Sequence, residues 1–109
     1  MPRGVRPGMP VRGSRSGRPL MVALDFLGRR WTLRVLWELR GGPAGFREIQ
    51  ARCEMSSSVL RDRLRDLDQA GLVMRDAEER YELTRAGRSL GRAIAPLKSW
   101  AERWAADGW

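Results

Sequence analysis

A mainly α chain with a small β-hairpin is the fold class this sequence predicts, on three observations. Apolar residues recur at helical spacing in five segments between residues 20 and 105, each bounded by glycine, proline, serine or threonine. Two short extended runs, 73–76 and 80–83, flank a turn at Ala77 to Glu79. The third and fourth helical segments abut across only Glu54 and Met55, which is helix-turn-helix spacing. A helix-turn-helix followed by a hairpin is a winged helix-turn-helix. The N- and C-terminal helices remain to form a dimer interface.

Residues 1–18 come first. Arg3, Arg6, Arg12, Arg15 and Arg18 stand there with no acid, among glycines and prolines and with no apolar run. Such a composition does not bury enough surface to offset chain entropy, so a disordered basic tail is expected. Its two readings are an arm along phosphates or in a minor groove, and a leader without function preceding a start at Met9 or Met21. Residues 19–109 form the winged helix-turn-helix domain with a C-terminal dimerisation helix. LMVALDFL (20–27) is a short apolar helix ending at Gly28, and WTLRVLWELR (31–40) is a second, stopped by Gly41, Gly42 and Pro43. In the second, Trp31, Val35, Leu36 and Leu39 make one stripe and Leu33 and Trp37 an adjacent one, so Trp37 is a candidate for a pocket, an interface or ordinary packing.

FREIQARC (46–53) offers Phe46, Ile49 and Cys53 to a core. In SSSVLRDRLRDLDQAGLV (56–73), Leu60, Leu64 and Leu67 fall in a narrow arc at about 100° per residue, with Ser58, Arg61, Asp62 and Arg65 opposite. A serine N-cap and Gly71 frame this helix. A final helix over 84–105, capped by Thr84 and bent at Pro96, carries Leu90, Ile94, Leu97, Trp100 and Trp104 as a long seam, with Gly87 and Gly91 open to close approach by another backbone. This seam, with Leu20, Leu24 and Leu27, is the expected dimerisation surface; packing on its own domain is the alternative.

Composition narrows function. The 109 residues make one small domain whose modest core favours association. Of the net charge of +8, five units lie in the tail, so the folded part is only mildly basic. One cysteine and no histidine leave no histidine acid/base chemistry, intrachain disulfide or Cys- or His-rich zinc site. Cys53 on an apolar face reads as a buried, inert thiol. An enzyme is not expected, nor is a cofactor. No window approaches a membrane span or a secretory signal, so a cytoplasmic, nucleoid-associated protein with no membrane partner is expected. GGPAG (41–45) reads as a turn and lacks the lysine of a phosphate-binding loop.

Four ordered blocks resemble the HxlR-type winged helix-turn-helix transcriptional regulators, within the MarR-like winged-helix superfamily. ALDFLGRRWTLRVLWEL is similar to the family's entry block through Ala23, Leu24, Gly28, Arg30 and Trp31. GPAGFREI carries Gly42, Pro43, Phe46, Glu48 and Ile49 of the second block. The third runs through Ser56, Leu60, Arg63, Leu64, Arg65, Leu67, Gly71, Leu72 and Val73, and the fourth through Tyr81, Leu83, Thr84 and Gly87. The resemblance covers residues 19 to about 104. It implies a dimer whose recognition helices enter successive major grooves of a pseudo-palindromic operator. Two departures stand out. Family members commonly have Cys-Pro before the first block, where Arg18-Pro19 stands here, so thiol sensing by that route is not implied; and the run from Val73 to Tyr81 is about six residues short of the family pattern.

The expected function is sequence-specific binding of double-stranded DNA by a homodimer. Ser57, Ser58, Arg61, Asp62 and Arg65 would face the major groove, where arginine pairs bidentately with guanine and aspartate accepts from cytosine. Arg47, Arg63, Arg75 and Arg80 would meet phosphates. A small-molecule effector of unidentified chemistry is a further candidate partner. The alternative is a winged-helix protein-interaction module whose DNA binding is only non-specific.

Overall fold

The computed structural model describes residues 18–107. Its elements run α1 (Pro19–Leu27), α2 (Thr32–Glu38), a 3-10 turn (Leu39–Gly41), α3 (Phe46–Cys53), α4 (Ser57–Gln69), β1 (Val73–Arg75), β2 (Tyr81–Leu83), α5 (Arg85–Ile94) and α6 (Pro96–Asp107). The mainly helical chain with one antiparallel hairpin is the expected fold class. Apart from Arg18, the tail expected to be disordered lies outside the described residues.

Pro19 starts α1 at a position where its missing N–H removes no helical bond. Val22 and Phe26 turn inward, while Leu20 and Leu24 on the same helix remain exposed. The second helix starts one residue later than its apolar pattern suggested, because Trp31 takes a left-handed backbone (φ 74) and becomes the N-cap. Val35 and Leu36 at its centre are fully buried, and α2 lies against both α3 and α4. Arg34 ties α2 to α3 by donating Nη2 to the Arg52 carbonyl at 2.6 Å while its Nε pairs with Glu38 at 3.0 Å.

The GGPAG segment does more than turn. Gly42 at φ 136 gives the chain a backbone that other residues rarely adopt, and Ala44 then bridges Tyr81 with reciprocal N–H···O bonds of 2.9 and 2.8 Å. A single residue thus extends the hairpin to a third strand position. Glu48 reaches back to the Gly45 N–H at 3.0 Å and caps α3.

In the wing, β1 and β2 pair Val73 with Leu83, Met74 with Glu82 and Arg75 with Tyr81. The loop of Ala77, Glu78 and Glu79 closes through the Asp76 N–H to the Arg80 carbonyl at 2.8 Å, with Glu79 left-handed at φ 61, the form three-residue hairpin loops take. Asp76 holds the tip together. Its Oδ1 accepts from the Glu78 and Arg80 N–H groups, both at 2.9 Å, and its Oδ2 from Arg80 Nε at 3.0 Å. Partial burial pushes the Asp76 carboxyl up, but the two N–H donors and the Arg80 charge outweigh it, leaving Asp76 below its ordinary value.

The C-terminal part corrects the expected single bent helix. Ala95 still donates to the Gly91 carbonyl at 3.0 Å, but Pro96 has no N–H to continue the ladder, and two helices result. The first is pinned to the domain. Thr84 caps it by accepting from Gly87 N at 3.1 Å while its hydroxyl donates to the Gly71 carbonyl at 2.6 Å. Gly87 is buried where a β-carbon would lie 2.0 Å from the Leu72 carbonyl oxygen, so the close backbone approach expected at this glycine is made by the same chain. At Gly91 a β-carbon would instead lie 3.5 Å from Arg40 Cγ. In contrast to α5, α6 contains no buried residue.

Candidate nucleic-acid interface

The two helices of the expected reading element are set by a three-residue turn. Glu54 takes a left-handed backbone (φ 54) that ends α3, Met55 is buried in the core, and Ser56 caps α4 by accepting from Val59 N at 3.3 Å. Gln50 Nε2 donates to the Met55 carbonyl at 3.3 Å and ties α3 to the turn. Met55 is the residue here that sequence reading passed over. Its signal is an isolated apolar side chain in an otherwise polar stretch.

Leu60, Leu64 and Leu67 form the buried side of α4. At its other end Leu72 N donates to the Leu67 carbonyl and Gly71 N to the Asp68 carbonyl, both at 2.9 Å, with Gly71 at φ 78. This double closure is the glycine C-terminal motif. The helix is thereby fixed in length, start and rotation before any ligand is considered.

Fixed that way, α4 exposes Ser57, Ser58, Arg61, Asp62 and Arg65 together. The Arg61 guanidinium sits 5.5 Å from the Phe46 ring centroid, over the start of α3. Arg65 and Asp62 pair at 3.4 Å, each more than half exposed, so the contact is weak and screened. Either partner is free to exchange it for a base edge. Arg47 is exposed on α3.

The other three arginines expected at phosphates are differently placed. Arg63 donates to the Arg30 carbonyl at 3.3 Å and pairs with Asp66 at 3.1 Å, its side chain 22% exposed. It ties α4 to the turn before α2. Arg80 is held by Asp76 and Glu78 at 3.0 and 3.5 Å, so the wing tip offers little free positive charge. Arg75 is exposed and donates to the Tyr81 hydroxyl at 2.5 Å.

The dimerisation residues also divide. Leu27, Leu90 and Ile94 are partly buried against the domain's own core. Leu20, Leu24, Leu97, Trp100 and Trp104 are between 41% and 64% exposed, and the rings of Trp100 and Trp104 stack at 5.5 Å. Cys53 is buried, and burial pushes its thiol up from the ordinary value, the opposite of what a reactive thiolate requires. Among the described residues no group of His, Cys, Asp and Glu could hold a metal ion, and no helix is long and apolar enough to cross a membrane.

Residues 26–108 match the model of the HxlR-like helix-turn-helix family. The chain is 33% identical to the HTH-type transcriptional regulator YvaP of Bacillus subtilis, over 75% of this chain and 82% of that one. It is 30% identical to YodB of the same organism, also an HTH-type transcriptional regulator, over 79% and 83%. The crystal structure of quinone-bound YodB superimposes with a TM-score of 0.69 and 32% identity, covering 78% of this chain and 97% of that one.

Proposed function

This chain belongs to the HxlR-like helix-turn-helix family of transcriptional regulators, and from that premise we propose that it acts as a homodimer binding a pseudo-palindromic operator in double-stranded DNA. The observation that carries the DNA reading is the exposed face of α4. Its side chains are short hydroxyls near the helix start and two arginines with an aspartate further along, while Leu60, Leu64 and Leu67 are buried on the opposite side. Such a helix enters a major groove with its first turns and reads base edges through Arg61, Arg65 and Asp62. Arg47, and Arg75 at the edge of the short wing, are the candidates for phosphate contact. Arg63, engaged inside the domain, and Arg80, paired with Asp76 and Glu78 at the wing tip, are not assigned to DNA.

Homodimerisation is supported by α1 and α6. Both expose large apolar side chains that the domain itself does not cover, and α6 buries nothing within its own chain. Large apolar side chains left exposed on the first and last described helices of a small domain mark an interface, and a second copy supplies the matching surface by symmetry. Together, paired recognition helices about one helical turn apart give an inverted repeat. The reading also places the protein in the cytoplasm with its DNA. An effector of unidentified chemistry is part of the proposal; the similar chain YodB has been crystallised with a bound quinone.

Arg61→Ala is expected to weaken binding to the preferred duplex about tenfold to a hundredfold, the cost of one lost bidentate base contact of about 1–3 kcal/mol, with little change on random duplex. Arg47→Ala is expected to weaken both duplexes equally and to lower the steepness of the salt dependence by about one phosphate. Fluorescence anisotropy with both duplexes over a salt series separates the two. Equal loss on both duplexes in Arg61→Ala would remove α4 from the groove.

A further inference from the structure

We propose that Arg40, Arg88 and Arg92 form a binding site for a small organic anion carrying more than one carboxylate. They line a cleft of about 260 Å³ between the 3-10 turn, β2 and α5, completed by Leu83, Gly91 and Ala95. Three features make it a built site. No described carboxylate pairs with any of these three guanidiniums, a condition other exposed arginines share, and here one cleft gathers all three. Like charges gathered without a counter-charge repel, and a bound anion relieves that repulsion.

Two of the three arginines are held in place beforehand. The Arg88 Nη1 donates to the Leu83 carbonyl at 3.0 Å. The Arg40 stem passes beside Gly91, and its guanidinium stacks on Trp37 at 3.7 Å. Arg92, exposed in the last turn of α5, is left to close over a ligand. Planar forks held in this way suit carboxylates, and Leu83 and Ala95 give the ligand's carbon body an apolar wall.

The cleft lies away from the base-reading start of α4. Thr84, at the start of α5, bonds to Gly71 beyond the C-terminal end of α4, whereas Ser57 and Ser58 stand at the other end of that 13-residue helix, about 20 Å away at 1.5 Å per residue. Arg40 belongs to the helix-turn-helix body and Arg88 and Arg92 to the arm leading into α6. An anion bridging them ties body to arm. In a dimer held through α6 this linkage sets the separation of the two recognition helices, a consequence that rests on the regulator reading, although the site itself does not.

The test is titration of the full chain with citrate at constant ionic strength, followed through the arginine Nε–Hε signals in ¹H–¹⁵N spectra. Saturable shifts are expected at Arg40, Arg88 and Arg92, with Arg47 and Arg61 unmoved. Arg92→Gln and Arg88→Gln, each folded as judged by circular dichroism, are expected to weaken the apparent affinity at least tenfold. Shifts that do not saturate, that chloride reproduces, or that spread over all arginines overturn the site. So does unchanged citrate affinity in both variants. Loss of affinity for random duplex in the same variants would assign these arginines to DNA phosphates and overturn it equally. The titration contains no DNA, so its failure leaves the regulator reading standing, and failure of DNA binding leaves the titration valid.

Discussion

Replacing Gly87 by alanine is expected to remove about 3 kcal/mol of stability, at the upper end of what an inserted methylene costs in a packed interior. The added methyl would meet the Leu72 carbonyl oxygen at 2.0 Å and the Leu83 Cβ at 3.3 Å. Neither can move away cheaply. The Leu72 carbonyl accepts from Thr84 N at 3.0 Å, and Leu83 is buried at the end of β2. Relief therefore requires α5 to lift off the junction between α4 and β1, breaking the Thr84 bonds that anchor it. In a domain of this size the loss lowers Tm by about 15 °C. Gly91→Ala is the internal comparison. Its methyl would stand 3.5 Å from Arg40 Cγ, an ordinary contact, and alanine is the better helix former, so Tm is expected to hold or rise slightly. Thermal unfolding by circular dichroism reads both. Equal small effects would show that α5 does not approach Leu72 closely.

Leu24→Glu combined with Trp104→Glu is expected to convert a dimer into a folded monomer and to weaken operator binding at least a hundredfold, the range by which linked binding sites exceed single ones. Leu24 and Trp104 are each 55% exposed, so a carboxylate at either position costs the isolated domain little. Across a symmetric interface the same charges are desolvated in both copies without partners. Sedimentation equilibrium gives the mass and anisotropy the affinity. A wild-type chain that is monomeric at micromolar concentration would contradict the assignment, as would a doubly substituted chain that stays dimeric.

Local chemistry made much of this structure legible. The arc of Leu60, Leu64 and Leu67, the serine cap and Gly71 define α4 because each acts within a few residues, and the structure places all of them as the spacing requires. The hairpin followed in the same way from two extended runs and a polar turn. What could not be read were bonds across the chain. Ala44 looks like part of a turn until Tyr81 arrives beside it. Arg63 resembles any other arginine on an amphipathic helix, and only the placement of Arg30 and Asp66 shows that it is engaged. Arg80 is neutralised by an aspartate four residues back, a pairing visible only once the tip has folded. Periodicity likewise grouped Leu90 and Ile94 with Leu97, Trp100 and Trp104, but Pro96 separates the two sets. The first pair turns to the domain's own core and the second set faces out.

The central claim is sequence-specific recognition by a symmetric pair of α4 helices. Selection of random duplex DNA by the purified full chain at near-physiological salt, followed by sequencing of the bound pool, tests it most directly. The predicted result is enrichment of an inverted repeat with half-sites about one helical turn apart. A bound pool with no enriched motif, from folded protein whose DNA affinity simply falls with salt, would contradict it and leave a winged-helix module that engages a protein partner.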